Sequence, residues 1–402
     1  MNHFPIVQAL CRAAMAQPTP ALRKQVERLR DALAREGKQK QAASLASVLS
    51  AADRMKDIAP SRIIRSKVGP LGEAIHRSTQ VPVDKETAAP LAEIIFPEDI
   101  NMVAPLFNPT VAQATKSIVG EWQNCEMLLT VDIRPSNTCL IYGDPGTGKT
   151  RLALWIAREL MLPVVLIRLD GLVSSFLGTT ARNIGNLFTF ANRYQCILLL
   201  DEFDAIAKLR DDPQEVGEIK RVVNTLLQNL DGRKDIGLTI GITNHPALLD
   251  PAVWRRFEIQ LDIPRPDFQV REAIAKHFMP PVQAPDAHIR LISWFAEGST
   301  GAEIEALVRT YKKARAIQKG DPHGLLETLR QFAALNAARI QPDRRELLFA
   351  KPEKLFRVMY NDKTLNFTLA DIGEIAGRDK STVSRLIGKP RDRAKKKEAI
   401  GG

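Results

Sequence analysis

Several things are scarce in these 402 residues, and each scarcity removes a class of protein. No stretch approaches the roughly 18 consecutive apolar residues of a membrane-crossing helix. The start, MNHFPIVQALCRAAMAQ, has no basic flank before its short apolar patch, which argues against a secretory signal. The four cysteines (Cys11, Cys125, Cys139, Cys196) are scattered, with no C-x-x-C pair. Disulfide scaffolds and thiolate metal sites are therefore not expected, and Cys139 and Cys196, in apolar runs, read as buried thiols of a reducing, cytoplasmic setting. There is no internal repeat and no low-complexity tract beyond a lysine-rich end. No protease, nuclease or metal-ligand cluster stands out, so any cutting would need a separate chain.

What is present is the composition of an ordinary soluble protein, 45% hydrophobic and 26% charged, long enough for two to four domains. The net charge of +11 is uneven: residues 1–80 hold 14 Lys and Arg against 6 Asp and Glu, and residues 378–402 hold 9 against 3. The long middle is thus slightly acidic. The basic ends suit an acidic partner or, equally, a solvated surface.

The most informative stretch is Thr138-Cys139-Leu140-Ile141-Tyr142 running into Gly143-Asp144-Pro145-Gly146-Thr147-Gly148-Lys149-Thr150, with the helical run RLALWIAREL after it. All fixed positions of the G-x-x-x-x-G-K-[ST] phosphate loop are filled, between a strand and a helix as the motif requires. The glycines let the backbone curl until its N–H groups face phosphate oxygens. Lys149 is placed for the β- and γ-phosphates, the Thr150 hydroxyl for Mg²⁺, and Arg151 opens the helix beside them. ATP with Mg²⁺ is the expected cofactor pair. A second apolar strand, CILLL, ends in Asp201-Glu202-Phe203-Asp204, carboxylates at the end of a strand where ligands of open α/β sheets bind. Asp201 would hold the metal through water and Glu202 would orient the attacking water. LTIGIT ends in Asn244, placed to touch the γ-phosphate or the water. HPALLDPAVWRRFE then carries adjacent Arg255 and Arg256, an unpaired pair that fits transition-state cations or, alone, surface salt bridges.

From about 91 to 264, strands (138–142, 164–169, 196–200, 238–242, 258–263) alternate with amphipathic helices, which predicts a parallel sheet covered on both faces. After Pro266 the pattern is helical to about 338. Before the sheet, Leu22, Val26, Leu29 and Leu33 recur at helical spacing, Gly37 breaks the run, and Leu45, Leu49 and Ala52 continue it; 59–90 reads as a linker. The expected organisation is a helical region over 1–80, an α/β nucleotide-binding part over 81–264, a helical lid over 265–340 and a last module over 341–402. In that last module, TLADIGEIAGRDKSTVSRLIGK has two apolar faces separated by Gly377, the spacing of a helix-turn-helix. Its second helix would expose Ser381, Thr382, Ser384, Arg385 and Lys389, and the tail PRDRAKKK could follow phosphates. DNA contact through 368–397 and a trihelical module for protein contact both fit.

GDPGTGKT, ILLLDEFD, GITNHPALLDPAVWRRFE and GSTGAEIEAL, in this order, resemble the AAA clade of AAA+ ATPases over about 91–338. The resemblance implies an α/β domain with a helical lid, a homo-oligomeric ring, usually a hexamer, and ATP sites shared between neighbours. It implies Asn244 as polar sensor, Arg255 and Arg256 as fingers acting in trans, and Gly301-Ala302 beside the nucleotide. It gives Phe176-Leu177-Gly178, after Ser174-Ser175, the look of the pore loop that grips a polypeptide. The chain departs from the clade in its opening segment, FPEDINMVAPLFN, and in having Ser299 where many members have a histidine near the adenine. With EVGEIKRVVNTLLQNLD, it looks more like bacterial AAA ATPases encoded beside subtilisin-like proteases in mobile or phage-defence loci. Two functions follow as expectations: a motor that remodels or threads protein, with a partner protease in view, or a DNA-bound regulatory switch.

Overall fold

The computed structural model describes residues 20–57, 72–169, 177–205, 216–233, 237–317 and 324–388, with a few positions before residue 12. The chain forms two compact units, 1–67 and 68–402. In the first, α1 (Pro20–Arg35) and α2 (Gln39–Asp57) make a hairpin closed at Gly37, whose φ of 74° permits the reversal. Val26, Leu33, Leu45 and Leu49 are buried between the helices, as their spacing predicts.

In the second unit, six strands lie in the order β1-β3-β4-β5-β2-β6. They are β1 (Glu93–Ile95), β2 (Thr138–Tyr142), β3 (Val164–Arg168), β4 (Ile197–Asp201), β5 (Thr239–Thr243) and β6 (Ile259–Asp262). All neighbours are parallel except β1, a three-residue edge strand that the sequence pattern did not suggest and that pairs antiparallel with β3. The strands are apolar on both faces, as a sheet between two helical layers needs. Leu140, Leu198 and Leu200 face α6 (Leu177–Ala191) and α7 (Val216–Asp231). Cys139, Ile141, Ile197, Leu199 and Ile240 share the opposite layer with α3 (Pro109–Gln123) and α5 (Lys149–Leu160). Burial lifts the Cys139 thiol to about 12, and desolvation also pushes Cys196 up, so these two sheet sulfurs serve packing.

The expected linker over 59–90 is corrected where it is described. Residues 72–92 lie against the sheet layer: Glu73 pairs with Arg193, its N–H donates to the Arg193 carbonyl and its carbonyl accepts from Gln195, and Ile75 and Leu91 are buried. Asp84 accepts from the Thr87 and Glu86 N–H groups and from Asn183 at 2.6 Å, which holds its carboxyl down to about 2. A Pro/Ser/Thr-rich composition reads as a linker, yet a few side-chain anchors order it.

Past β6 the chain is helical: α9 (Phe268–Phe278), α10 (Asp286–Phe295), α11 (Gly301–Ile317), α12 (Gly324–Leu335), α13 (Pro342–Phe349), α14 (Pro352–Asn361), α15 (Leu369–Ala376) and α16 (Lys380–Ile387). Four of them fill the stretch to 338 that reads as helical in the sequence. One apolar cluster extends from Val270 through Trp294, Tyr311 and Leu329 to Ile387, so α13–α16 share the core of α9–α12. Between α15 and α16, Gly377 takes φ 61° and the Gly373 carbonyl accepts from Arg378 N–H, a tight two-helix corner. Thr368 and Asp371 form a capping box on α15. No described helix is long and apolar enough to cross a membrane.

Candidate nucleotide site

Strands β4, β5 and β2 are neighbours, so the loops at their carboxyl ends converge at one edge of the sheet. The loop after β2 turns at Gly143, Gly146 and Gly148, with φ of 144°, 80° and 99°, and Lys149 begins α5. A Cβ on Gly143 would stand 2.4 Å from the Ile263 carbonyl oxygen, so only glycine fits there. Lys149 is buried, donating from Nζ to the carbonyls of Gly143 (2.9 Å) and Asp144 (2.8 Å). Desolvation lowers its pKa, partly offset by Asp201, Asp144 and Asp204. That ammonium is thus held inside the loop by two of the loop's own carbonyls.

The Thr150 hydroxyl lies 3.2 Å from Asp201 Oδ2, across 51 residues of sequence. A hydroxyl and a carboxylate at that distance are hard oxygen donors that could hold Mg²⁺ together with phosphate oxygens. Glu202, the next residue, is exposed and has φ 55°, and its N–H donates to Asp201 Oδ1 at 2.9 Å. A positive φ at a non-glycine residue costs energy, and here it aims the glutamate off the end of β4. Asp204 is buried; it accepts from Thr243 Oγ1 (3.2 Å) and from the Asn244 N–H (3.3 Å), binding the β4 and β5 ends into one unit. Glu202 and Asn244 thus stand at the adjoining ends of β4 and β5.

The helical region closes over the loop. Ala302 N–H donates to the Gly146 carbonyl at 3.1 Å, and a Cβ on Gly146 would come within 3.2 Å of Ala302 Cβ. Gly301 and Ala302 therefore pack against the loop after β2. A mostly apolar cavity of about 200 Å³ opens beside them, walled by Ala104–Phe107, Gly146–Gly148, Ile274, His277 and Phe278. Its size and lining suit a flat heterocycle next to the phosphates. Arg151 also lines it, with its guanidinium 5.9 Å from the Phe278 ring. Ser299 is buried and does not line this cavity, whereas His277 of α9 does. The opening segment that departs from the clade supplies a wall, held by Arg158 donating to the Met102 carbonyl.

Arg255 and Arg256 part company. Arg256 is paired with Asp231, Nε to Oδ1 and Nη2 to Oδ2 both at 3.1 Å, and donates to the Ala252 carbonyl. The expectation of two unpaired arginines fails for it. Arg255, at the end of α8 (Pro251–Trp254), is exposed and its side chain has no hydrogen-bond or ion-pair partner among the described residues. Phe176, with Ser174 and Ser175, lies outside the described residues; Leu177 and Gly178 begin α6. Lys389 and the tail also lie outside them. Ser384 and Arg385 are exposed on α16, whereas Ser381 and Thr382 are tied by their hydroxyls to Asp379, the residue that caps α16, at 2.5 and 3.1 Å.

One contact at this loop escaped the sequence: Arg265 bonds Asp144 of the phosphate loop and the Gly298 carbonyl of the helical region. The signal was a lone charge between two prolines at an element boundary.

Residues 139–265 match the family described as ATPase family associated with various cellular activities (AAA). An uncharacterized AAA family ATPase of Sinorhizobium fredii is 36% identical over 236 residues, 58% of this chain and 70% of that protein. A proteasome-activating nucleotidase of Methanocaldococcus jannaschii is 37% identical over 191 residues, 45% of this chain and 44% of the nucleotidase, so the match spans less than half of that relative. The solved FIGL-1 AAA domain has the same fold at 20% identity and a TM-score of 0.50, over 63% of this chain and 89% of that one. Phosphate loop, strand-end carboxylates and lid contacts are those of a nucleotide-hydrolysing sheet, and the protein is an ATP hydrolase belonging to the AAA family of ATPases.

Proposed function

We propose that the protein is a ring-forming, Mg²⁺-dependent ATPase, a homo-oligomer and most simply a hexamer, that couples hydrolysis to remodelling or threading of a polypeptide in the cytoplasm. Thr150 and Asp201 hold the metal, Glu202 orients the attacking water and Asn244 reports on the γ-phosphate. The observation that carries the reading is Arg255, an exposed guanidinium just ahead of β6, next to Arg256 whose carbonyl accepts from Thr138 at the amino end of β2, and with no partner among the described residues. A cation left open away from its own phosphate loop is available to complete a neighbouring subunit's site, where transition-state charge needs compensation. Arg256, bracketed to Asp231, positions that segment. The name of the archaeal relative, a proteasome-activating nucleotidase, supports a protein substrate. The resemblance to ATPases encoded beside subtilisin-like proteases supports a partner protease in a mobile-element or phage-defence setting, with Phe176-Leu177-Gly178 as the grip.

The test pairs sizing with hydrolysis. With a slowly hydrolysed ATP analogue the protein elutes as a ring, and Arg255→Ala binds ATP normally while hydrolysing poorly. Mixing Arg255→Ala with Glu202→Gln subunits restores part of the activity, since each supplies what the other lacks. Full turnover by a monomer excludes the reading. Phe176→Ala is expected to spare basal ATPase and abolish the biological output.

A second reading, a DNA-bound switch, is favoured by the corner at Gly377 and by exposed Ser384 and Arg385 on α16, which have the form of a helix-turn-helix. Duplex titration over a salt series tests it. Arg385→Ala with Lys389→Ala is then expected to weaken binding and flatten the log–log salt slope by about one unit for each phosphate no longer neutralised.

A further inference from the structure

Arg265 stands between Pro264 and Pro266, where β6 hands the chain to α9. A proline fixes its own φ and restricts the residue before it, so the backbone here has few alternatives. The guanidinium donates from Nε to Asp144 Oδ2 at 2.6 Å and from Nη1 to the Gly298 carbonyl at 2.5 Å. Gly298, with φ 74°, forms the turn between α10 and α11. That turn is braced from behind. Glu297 accepts from Arg344 Nε at 2.7 Å, Arg344 lies over Trp294 at 3.7 Å, and the Gln341 amide fills the place of a Gly298 Cβ.

Asp144 poses an electrostatic problem. It is the second residue of a loop whose other features all attract a polyanion: curled N–H groups, a helix N-terminus and Lys149. A bare carboxylate there would oppose the phosphates. We propose that Arg265 is a positioning residue for ATP hydrolysis, cancelling the Asp144 charge at the phosphate loop while the same guanidinium ties the lid turn at Gly298 over that loop. It acts through Asp144 and the lid. Arg265 and Asp144 are 50% and 49% exposed, so the pair contributes little to folding, and its effect falls on nucleotide affinity and lid placement. The two roles separate chemically. Charge cancellation needs only a cation near Asp144; the tether needs the planar fork that reaches two acceptors at once.

The proposal rests on ATP hydrolysis alone and is independent of ring assembly or threading. Its test is steady-state ATPase activity against ATP concentration, with a fluorescent ATP analogue for affinity and thermal unfolding as a control. The variants are Arg265→Gln, Asp144→Asn, the double variant and Arg265→Lys. Arg265→Gln is expected to raise KM roughly fivefold, because a half-solvated charge is left uncancelled beside the phosphates. The double variant returns KM to within about twofold of wild type, yet keeps the kcat loss, since the Gly298 carbonyl still lacks its donor. Arg265→Lys shows the converse split, with KM near wild type and a lowered kcat. A double variant that binds ATP as weakly as Arg265→Gln overturns the charge argument, as does an unchanged KM in Arg265→Gln. An unchanged kcat in Arg265→Lys overturns the tether. Should Arg265→Gln fail to fold, Arg265→Lys still decides: a fivefold rise in its KM, with the charge intact, removes the cancellation.

Discussion

The sheet and the helical region after Pro266 solve the same burial problem in different ways. In the sheet, β2, β4 and β5 are apolar along both faces, and polar side chains that matter appear where the strands stop: Lys149, Asp201, Asn244. Chemistry is thus confined to one edge and set by backbone hydrogen bonding. The helical region has no such edge. Its single core from Val270 to Ile387 takes polar groups inside, among them His288, hydrogen-bonded through Nδ1 to the Tyr311 hydroxyl at 2.9 Å. The sheet is held by its backbone ladder, whereas the helical region is held by side chains and reaches the phosphate loop and its cavity through Ile274, His277, Phe278, Gly298, Gly301 and Ala302. Substitutions at the sheet margin should therefore strike turnover, and substitutions in the helical core should strike stability.

The largest effects test the first half of that contrast. Lys149→Ala is expected to lose nucleotide binding itself. Glu202→Gln is expected to keep ATP and lose at least about 100-fold in turnover, since positioning and charge compensation supply most of phosphoryl-transfer catalysis. Binding titrations beside ATPase assays distinguish the two, and normal turnover in Glu202→Gln moves the water-orienting role elsewhere.

Next in size is a pH effect that belongs to the helical region. Burial, and then the charge of Arg315, push His288 down to about 4, and its Nε2 has no hydrogen-bond partner among the described residues. The folded state therefore holds this imidazole neutral where an unfolded chain would protonate it. Below the ordinary pKa near 6.5 the unfolded state binds more protons, so stability falls as pH drops from about 6.5 to about 4, by on the order of 3 kcal/mol. Melting temperature against pH should show the decline, and His288→Asn should flatten it in that window. Asp84, held down to about 2, loses its contribution only below the usual carboxylate range, so the two slopes do not overlap.

Two glycines sharpen the comparison further. A Cβ on Gly241 in β5 would stand 2.8 Å from Phe257 Cζ, and Phe257 packs edge-on to Phe203 at 5.8 Å. A Cβ on Gly373 in α15 would stand 2.6 Å from the Arg378 carbonyl oxygen. Each alanine variant is expected to cost about 1–3 kcal/mol by overpacking. Gly241→Ala should also lower ATPase activity, because Phe203 follows Glu202 and Phe257 follows the arginines. Gly373→Ala should leave turnover per folded molecule unchanged. Equal losses of turnover in both would show that the two regions act as one catalytic body.

What the sequence disclosed follows the same division. The phosphate loop, Asp201, Glu202 and Asn244 are legible because each sits within two residues of an apolar strand, where pattern and chemistry coincide. β1 was not, since three residues carry no periodicity and its partner β3 lies about 70 residues further on. The cavity walls were not either: Phe107, His277 and Phe278 meet only because α9 folds back over the loop, a tertiary fact without a local signature. The same holds for Arg256, whose partner Asp231 lies 25 residues away at the end of α7.

The smallest expected effect bears on what α16 does. Asp379 caps this helix, accepting from Thr382 N–H at 2.8 Å and from the hydroxyls of Ser381 and Thr382, and these bonds hold its carboxyl at about 2, ionised at neutral pH. Two of the residues that would face a duplex, Ser381 and Thr382, are therefore gathered around a negative charge. Asn caps a helix about as well as Asp, so Asp379→Asn should move the melting temperature by no more than about 1–2 °C while removing the charge. If α16 enters a groove, its first turn approaches phosphates, and losing the carboxylate should raise duplex affinity about two- to threefold at low salt, an advantage that fades as salt screens it. If the module docks on protein, duplex affinity should be weak and indifferent to the change. Duplex titration of Asp379→Asn beside Arg385→Ala resolves the choice by sign. Opposite shifts put α16 against DNA, and two silent variants leave the helical region to protein contact, with all of the chemistry on the sheet edge.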